Sequence, residues 1–217
     1  LGFLKLLKGT RLRRDADKYG IVYRSKPPYE ILYNNDISYD ELCILTGIAK
    51  LLDKYYNSGR FQHSLTYLCK NFQRPFDLYM AFYDFCKKRG FFRVQHSLKA
   101  QYDILFTFAQ SLEIDTALFN DLLKFDFMLT SSKTALPNCI KPVENREFIN
   151  RAKEYVYNKK WLETNLPQAL DLSGHKLHQQ LTYGLFRYDV PQSTAKKEKG
   201  MVFLQKDGNN YYAEFEL

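Results

Sequence analysis

The apolar period of this chain changes once along its length, and that change limits its folds more than any other feature. From Ser38 to about Thr164, apolar residues recur every three to four positions, the spacing of helices with one buried face. Beyond about Lys176 they alternate, the spacing of strands. A chain of 217 residues in this order reads as mainly α: a multi-helix bundle with a small C-terminal antiparallel β meander, an α+β arrangement.

Ser38-Tyr-Asp-Glu41 has the S-x-x-E form of a capping box and opens a helix to about Tyr56, which Asn57-Ser-Gly59 ends. Leu42, Leu45, Ile48, Ala49, Leu52 and Tyr56 form its apolar stripe. Further helices are expected over 61–71, 75–90, 97–112 and 115–129, then one long helix over 144–164 after a loop at 135–143 broken by two prolines. Ahead of them, Thr10 caps a short helix carrying Leu12, Ala16 and Tyr19 that stops at Gly20. Pro27 and Pro28 keep the following stretch extended. In KLHQQLTYGLFRYDV, residues 176–190, the alternation steps at 185–186, which predicts a bulge near Gly184. KDGNN between GMVFLQ and YYAEFEL predicts a hairpin. The expected divisions are 1–37, 38–172 and 173–217.

The excess of 32 basic over 24 acidic residues gives a formal charge of +8, which permits a polyanion partner but is met equally by a basic surface that aids solubility. Cys43, Cys69, Cys86 and Cys139 have wide, irregular gaps and form no metal or cluster motif, so they read as buried free thiols of a reducing compartment. With no apolar run near the ~20 residues of a spanning helix, the expectation is a cytoplasmic protein off the membrane. No phosphate loop, zinc helix or nucleophile elbow is present. His175 and His178 would share a face on a helix and not on a strand, and no metal site is assigned to them. RGFFRV at 89–94 interleaves aromatic and basic residues as base-stacking surfaces do, yet the aromatic series as a whole reads as core.

Three segments together carry a resemblance: LGFLKLLKGTRLRRDADKYGIVYRSKPPYEIL, ISYDEL and KLLDKYYNSGRF. They resemble the closing region of proteins that join a cobalamin-binding domain to a radical S-adenosylmethionine barrel, strongly over residues 1–70 and collinearly beyond. In that family an apolar run followed by G-T is the last barrel strand, and a helical domain of unknown function follows. The resemblance implies that residues 1–7 are that strand and that Leu6, Leu7, Lys8 and Gly9 lie near S-adenosylmethionine in the full-length protein. It implies that the [4Fe–4S] cysteine triplet and the cobalamin motif lie upstream, as domains of the same polypeptide. The chain itself would hold no cofactor, metal or catalytic residue and would be inactive alone. Methyl transfer is one of several reactions open to the parent enzyme, whose substrate is unknown.

On this reading the chain is an accessory domain that caps the barrel or recognises substrate. Tyr29 and Glu30 of PPYE, and Asn57, Ser58, Arg60 and His63 around the NSGR turn, are the substrate candidates. The competing account of NSGR is a plain helix–helix corner, with Gly59 at positive φ and Arg60 capping carbonyls. The alternative function is a basic RNA-binding module. A membrane-surface helix at LGFLKLLKGTRLRR ranks last, because KGT breaks it after two turns. Residues 1–7 are expected to depend for cover on partners outside this chain.

Overall fold

Asp15 leaves helical geometry after a single turn, at φ −92° and ψ 10°, and so decides the start of the chain. In the computed structural model, which describes residues 2–131, 135–143 and 145–217, the chain forms two compact units. They are Leu1–Asn57 with Tyr79–Arg93, and Ser58–Leu78 with Val94–Leu217.

The first unit begins with residues 4–6 extended beside residues 29–31. Leu6 N–H donates to Tyr29 O at 2.9 Å and Ile31 N–H donates to Leu4 O at 3.0 Å. Leu6 is fully buried with Ala16 and Ile21, whereas Leu4 and Leu7 are 43% and 53% exposed. The expectation that the whole stretch needs outside cover is therefore corrected at Leu6, and the stretch is not a surface helix. Leu1 lies outside the described residues. The expected first helix is split into α1 (Arg11–Arg14), capped by Thr10, and a 3₁₀ turn, Asp17–Tyr19, because Ile21 N–H returns to Ala16 O and closes the chain there. Strands β1 (Val22–Tyr23) and β2 (Ile31–Tyr33) pair antiparallel around the proline turn.

Ser38 opens α2 (Tyr39–Leu51) with a complete capping box. Its amide and hydroxyl donate to Glu41 Oε2 at 2.8 and 2.7 Å, and Glu41 N–H donates to Ser38 Oγ at 3.3 Å. Ser38→Ala should cost about 1 kcal/mol in urea unfolding, and no change would mean the helix start is held elsewhere. A π-helical turn, Leu52–Tyr56, continues α2, and Asn57 N–H donates to Leu52 O at 2.8 Å. The buried Tyr55 ring meets Phe82 edge-on at 4.9 Å.

In the second unit, α3 (Gln62–Cys69) is followed by the start of α4 (Pro75–Lys88), whose remainder belongs to the first unit. Helices α5 (Leu98–Ala109) and α6 (Thr116–Ser131) come next. A three-stranded antiparallel sheet is built from β3 (Leu181–Tyr188), β4 (Lys196–Lys206) and β5 (Asn209–Phe215), with β4 central. Helix α6 packs on α3, on α5 and on the sheet. Its Phe125 ring lies 5.6 Å from Phe203 and 5.0 Å from Tyr212. The other sheet face sends Val202, Leu204, Ala213 and Phe215 into a core with Phe148, Ala152 and Val156. β4 is thus covered on both faces, which accounts for the unbroken apolar run MVFL.

Three expectations are corrected here. The helix expected over 144–164 is two, α7 (Arg146–Tyr157) and α8 (Lys159–Asn165). Asn158, at ψ 106°, leaves the helical region, and its side chain accepts Trp161 N–H to start the second. The Glu144 start lies outside the described residues. Residues 176–180 are not strand but the end of α9 (Gly174–Gln180). The register shift falls between Phe186 and Tyr188, not at Gly184. There Asp121 takes the Arg187 and Tyr188 amides, which removes them from the ladder. Gly184 is a packing glycine instead: a Cβ would lie 2.8 Å from Met128 Sδ and 2.6 Å from the Phe186 ring. The hairpin is as expected, with Asp207 and Gly208 at φ 51° and 76° joining Lys206 to Asn209. Among the described residues, no helix is long and apolar enough to cross a membrane.

Candidate functional site

Helix α6 carries three ionisable side chains into an otherwise apolar interior: Asp121, Lys124 and Asp126. Sequence reasoning passed over all three as parts of an apolar helix. The available signal was charge on the buried faces of FNDLLKFDFML.

Asp126 is 2% exposed. Its Oδ1 accepts from His63 N–H at 3.2 Å and from His63 Nδ1–H at 2.7 Å. Its Oδ2 accepts from Ser64 N–H at 2.8 Å and Ser64 Oγ at 2.7 Å. Helix α3 has Phe61 at its N-cap, which supplies no side-chain acceptor, so a carboxylate 63 residues away caps it. The same contact fixes the His63 ring and puts a proton on Nδ1. The ring rests edge-on against Phe125 at 4.9 Å.

On the other side of α6, Asp121 and Lys124 line a cavity of about 710 Å³ bounded by β3, by residues 138–143 and by Asn145. Asp121 Oδ2 accepts from the Arg187 and Tyr188 amides at 2.6 and 3.1 Å. Burial pushes its carboxyl above the usual aspartate range despite those two donors. Lys124 Nζ donates to Leu185 O at 2.8 Å and lies 5.1 Å from the Phe186 ring centre. Burial lowers its pKa, and the Asp121 charge opposes this only in part. Asn120 and Asp103 hold the facing loop: Asn120 Nδ2 donates to Cys139 O at 2.8 Å, and Cys139 N–H donates to Asp103 Oδ1 at 2.8 Å. A buried amine and a buried acid in one cleft are the usual makings of a binding or reactive site.

The sequence candidates divide between the units. In the first, Gly9, at φ 84°, and Thr10 make the expected turn, with Thr10 N–H and Oγ1 donating to Leu7 O. Lys8 is exposed. Tyr29 sits at φ 58° with its ring 5.0 Å from the Arg13 guanidinium, which also faces Tyr23 at 5.1 Å and donates to Leu6 O at 3.1 Å. Glu30 lines a separate cavity of about 430 Å³ with Arg24, Tyr39 and Lys50. Asn57 Nδ2 donates to Asp53 at 2.7 Å. In the second unit, Gly59 has the positive φ of a corner, 69°, but the Arg60 side chain is exposed and caps no carbonyl among the described residues. Arg60 N–H reaches Ser58 Oγ at 3.4 Å, and Arg60 O accepts from Tyr102 OH at 3.1 Å. Of the candidates, His63 alone joins one of the α6 carboxylates.

RGFFRV is on a turn, yet Phe91 and Phe92 lie half-buried beside Phe85 and Tyr83, at 6.1 and 5.4 Å. The residues present do not fit an iron–sulfur cluster. The cysteines are scattered, and burial pushes Cys86 up to about 12 and raises Cys69 and Cys139. The expectation of buried thiols is corrected at Cys43, which is exposed. His175 and His178 stand on helix α9, where His175 Nε2 meets Gln179 at 3.0 Å and His178 faces Tyr157.

Fold and cleft together define an α+β protein in which one helix, α6, turns three ionisable side chains inward. The chain belongs to the family described as Protein of unknown function (DUF4080), whose model matches residues 17–204. No curated protein and no solved structure matches it.

Proposed function

We propose that this domain is the accessory, substrate-recognising or barrel-capping part of a cobalamin-dependent radical S-adenosylmethionine enzyme. The resemblance over residues 1–70 motivates this reading. The observation that carries it is the edge formed by residues 4–6. One side of that strand pairs with residues 29–31, and among the described residues Lys5–Glu30 is its only bridge. Leu4 and Leu7 remain largely exposed. A paired strand with an open edge and apolar side chains is suited to continuing a sheet. Leu6, Leu7, Lys8 and Gly9 would then approach S-adenosylmethionine, while the upstream domains hold the [4Fe–4S] cluster and cobalamin.

The substrate contacts would come from Tyr29, Glu30, Asn57, Ser58, Arg60 and His63. Arg60 is the sharpest test, since its exposed guanidinium has no ion-pair partner among the described residues. In the anaerobically purified full-length protein, Arg60→Ala should lower product formation about tenfold, a loss of ~1.4 kcal/mol in the transition state. Cleavage of S-adenosylmethionine should persist. Normal product formation would remove Arg60 from substrate recognition. A full-length protein lacking iron and unable to cleave S-adenosylmethionine would remove the parent assignment.

A further inference from the structure

The cleft beside α6 contains a cation without a counter-ion. Lys124 Nζ uses one of its three N–H bonds on Leu185 O, and the Phe186 ring covers one side of it. Asp121, one helical turn before it, lines the same cleft. Its carboxylate is engaged by the Arg187 and Tyr188 amides, and it forms no ion pair with Lys124. Among the described residues, no carboxylate lies within ion-pair distance of Lys124, Lys141 or Arg187. A half-buried ammonium with only a carbonyl and a ring face is poorly compensated, and an anion in the cleft would supply what is missing.

We propose that this cleft binds a small organic anion, with a carboxylate or phosphate oxygen on Lys124 Nζ and the Arg187 and Lys141 side chains at the mouth. The cavity of about 710 Å³ fits a metabolite-sized body. Phe106, Val143 and Leu185 give it apolar wall, so the ligand carries an apolar portion behind its charged group. A neighbouring hollow shares Arg187 and the acid Glu198 with the cleft and adds Lys196 and Lys197, so basic residues outnumber acidic ones along the approach. The lowered pKa of Lys124 is what an amine awaiting its counter-ion would show. This inference does not depend on the radical S-adenosylmethionine reading.

The test is isothermal titration of the whole chain with benzoate and, separately, with inorganic phosphate, at ionic strength matched with chloride. Saturable binding in the millimolar range or tighter is expected for at least one. Preference for benzoate assigns the site to carboxylates, and preference for phosphate assigns it to phosphate esters. Lys124→Met should weaken binding at least tenfold, while Lys159→Met, at an exposed position at the start of α8, should leave it unchanged. Should Lys124→Met fail to fold, the Lys124 ¹³Cε resonance of the wild-type chain should shift on titration and saturate with the same constant. Absence of saturable binding by either anion up to about 20 mM, equal binding by the Lys124 variant, or a static Lys124 resonance would each overturn the proposal.

Discussion

Replacing Asp126 with Ala should lower the stability of the second unit by about 3 kcal/mol, the largest effect expected for any polar substitution in the chain. Two backbone amides at the start of α3, a hydroxyl and an imidazole N–H all end on this carboxylate. Its removal leaves the His63 and Ser64 amides facing apolar surroundings, and water cannot easily follow, since Ser64 is fully buried. Asp126→Asn should recover less than half of the loss. A carboxamide has one acceptor oxygen, so its NH₂ must face one of the two donor pairs. Ser64→Ala should cost about 1.5 kcal/mol, the lower end for a single bond to a charged acceptor, because its amide partner is kept. Urea midpoints for the three variants check the order. If Asp126→Ala unfolds within 0.5 kcal/mol of wild type, a threshold inside ordinary surface scatter, the capping account is wrong. The variant also frees the His63 ring, so any role of Nε2 should fail with it.

Lys199→Met should destabilise the sheet by about 2 kcal/mol at neutral pH. Lys199 is the last lysine of the charged run AKKEK, residues 195–199, yet its side chain is only 6% exposed. Its Nζ donates to Asp189 at 2.7 Å, to Glu214 at 2.8 Å and to Gln192 at 3.2 Å, tying the β3–β4 connection to β5. Removing the ammonium leaves two carboxylates facing one another. The cost stays below that of a fully buried pair because both acids keep some hydration, at 28% and 38% exposure. The pH dependence has a definite sign. Lys199 holds the Asp189 carboxyl below its ordinary range. The stability this supplies is complete above the ordinary aspartate pKa, about 4, and is lost as pH falls through the lower folded value. The gap between wild type and Lys199→Met should therefore narrow in acid. A gap that widens, or none at pH 7, would exclude the ion cluster as the source.

Much of the architecture was legible because its causes are local. The capping box at Ser38 needs only residues three apart, and the Asp207-Gly208 hairpin needs only two residues tolerant of positive φ. The helices over 61–131 follow from apolar spacing on a single chain. The errors fall where a side chain competes with the backbone. Asn158 reads as one more polar residue of a long helix, but its amide oxygen accepts Trp161 N–H and divides the helix. The shift at Arg187 cannot be read from KLHQQLTYGLFRYDV, because the acceptor that takes its amide is Asp121, 66 residues earlier.

The candidate site was less legible for the same reason. Periodicity places Asp121, Lys124 and Asp126 on α6 and says nothing about what stands opposite them. Sequence alone determined the class of the fold, the starts of the helices through α6, the final hairpin and the apolar stripes, because these depend on propensity and period. Only the tertiary structure decided that Asp126 caps a helix, that Lys199 is a buried hub and that Lys124 faces a cleft without a counter-ion. The energy of a charge depends on the dielectric and the partners around it, and the packing of distant segments sets both.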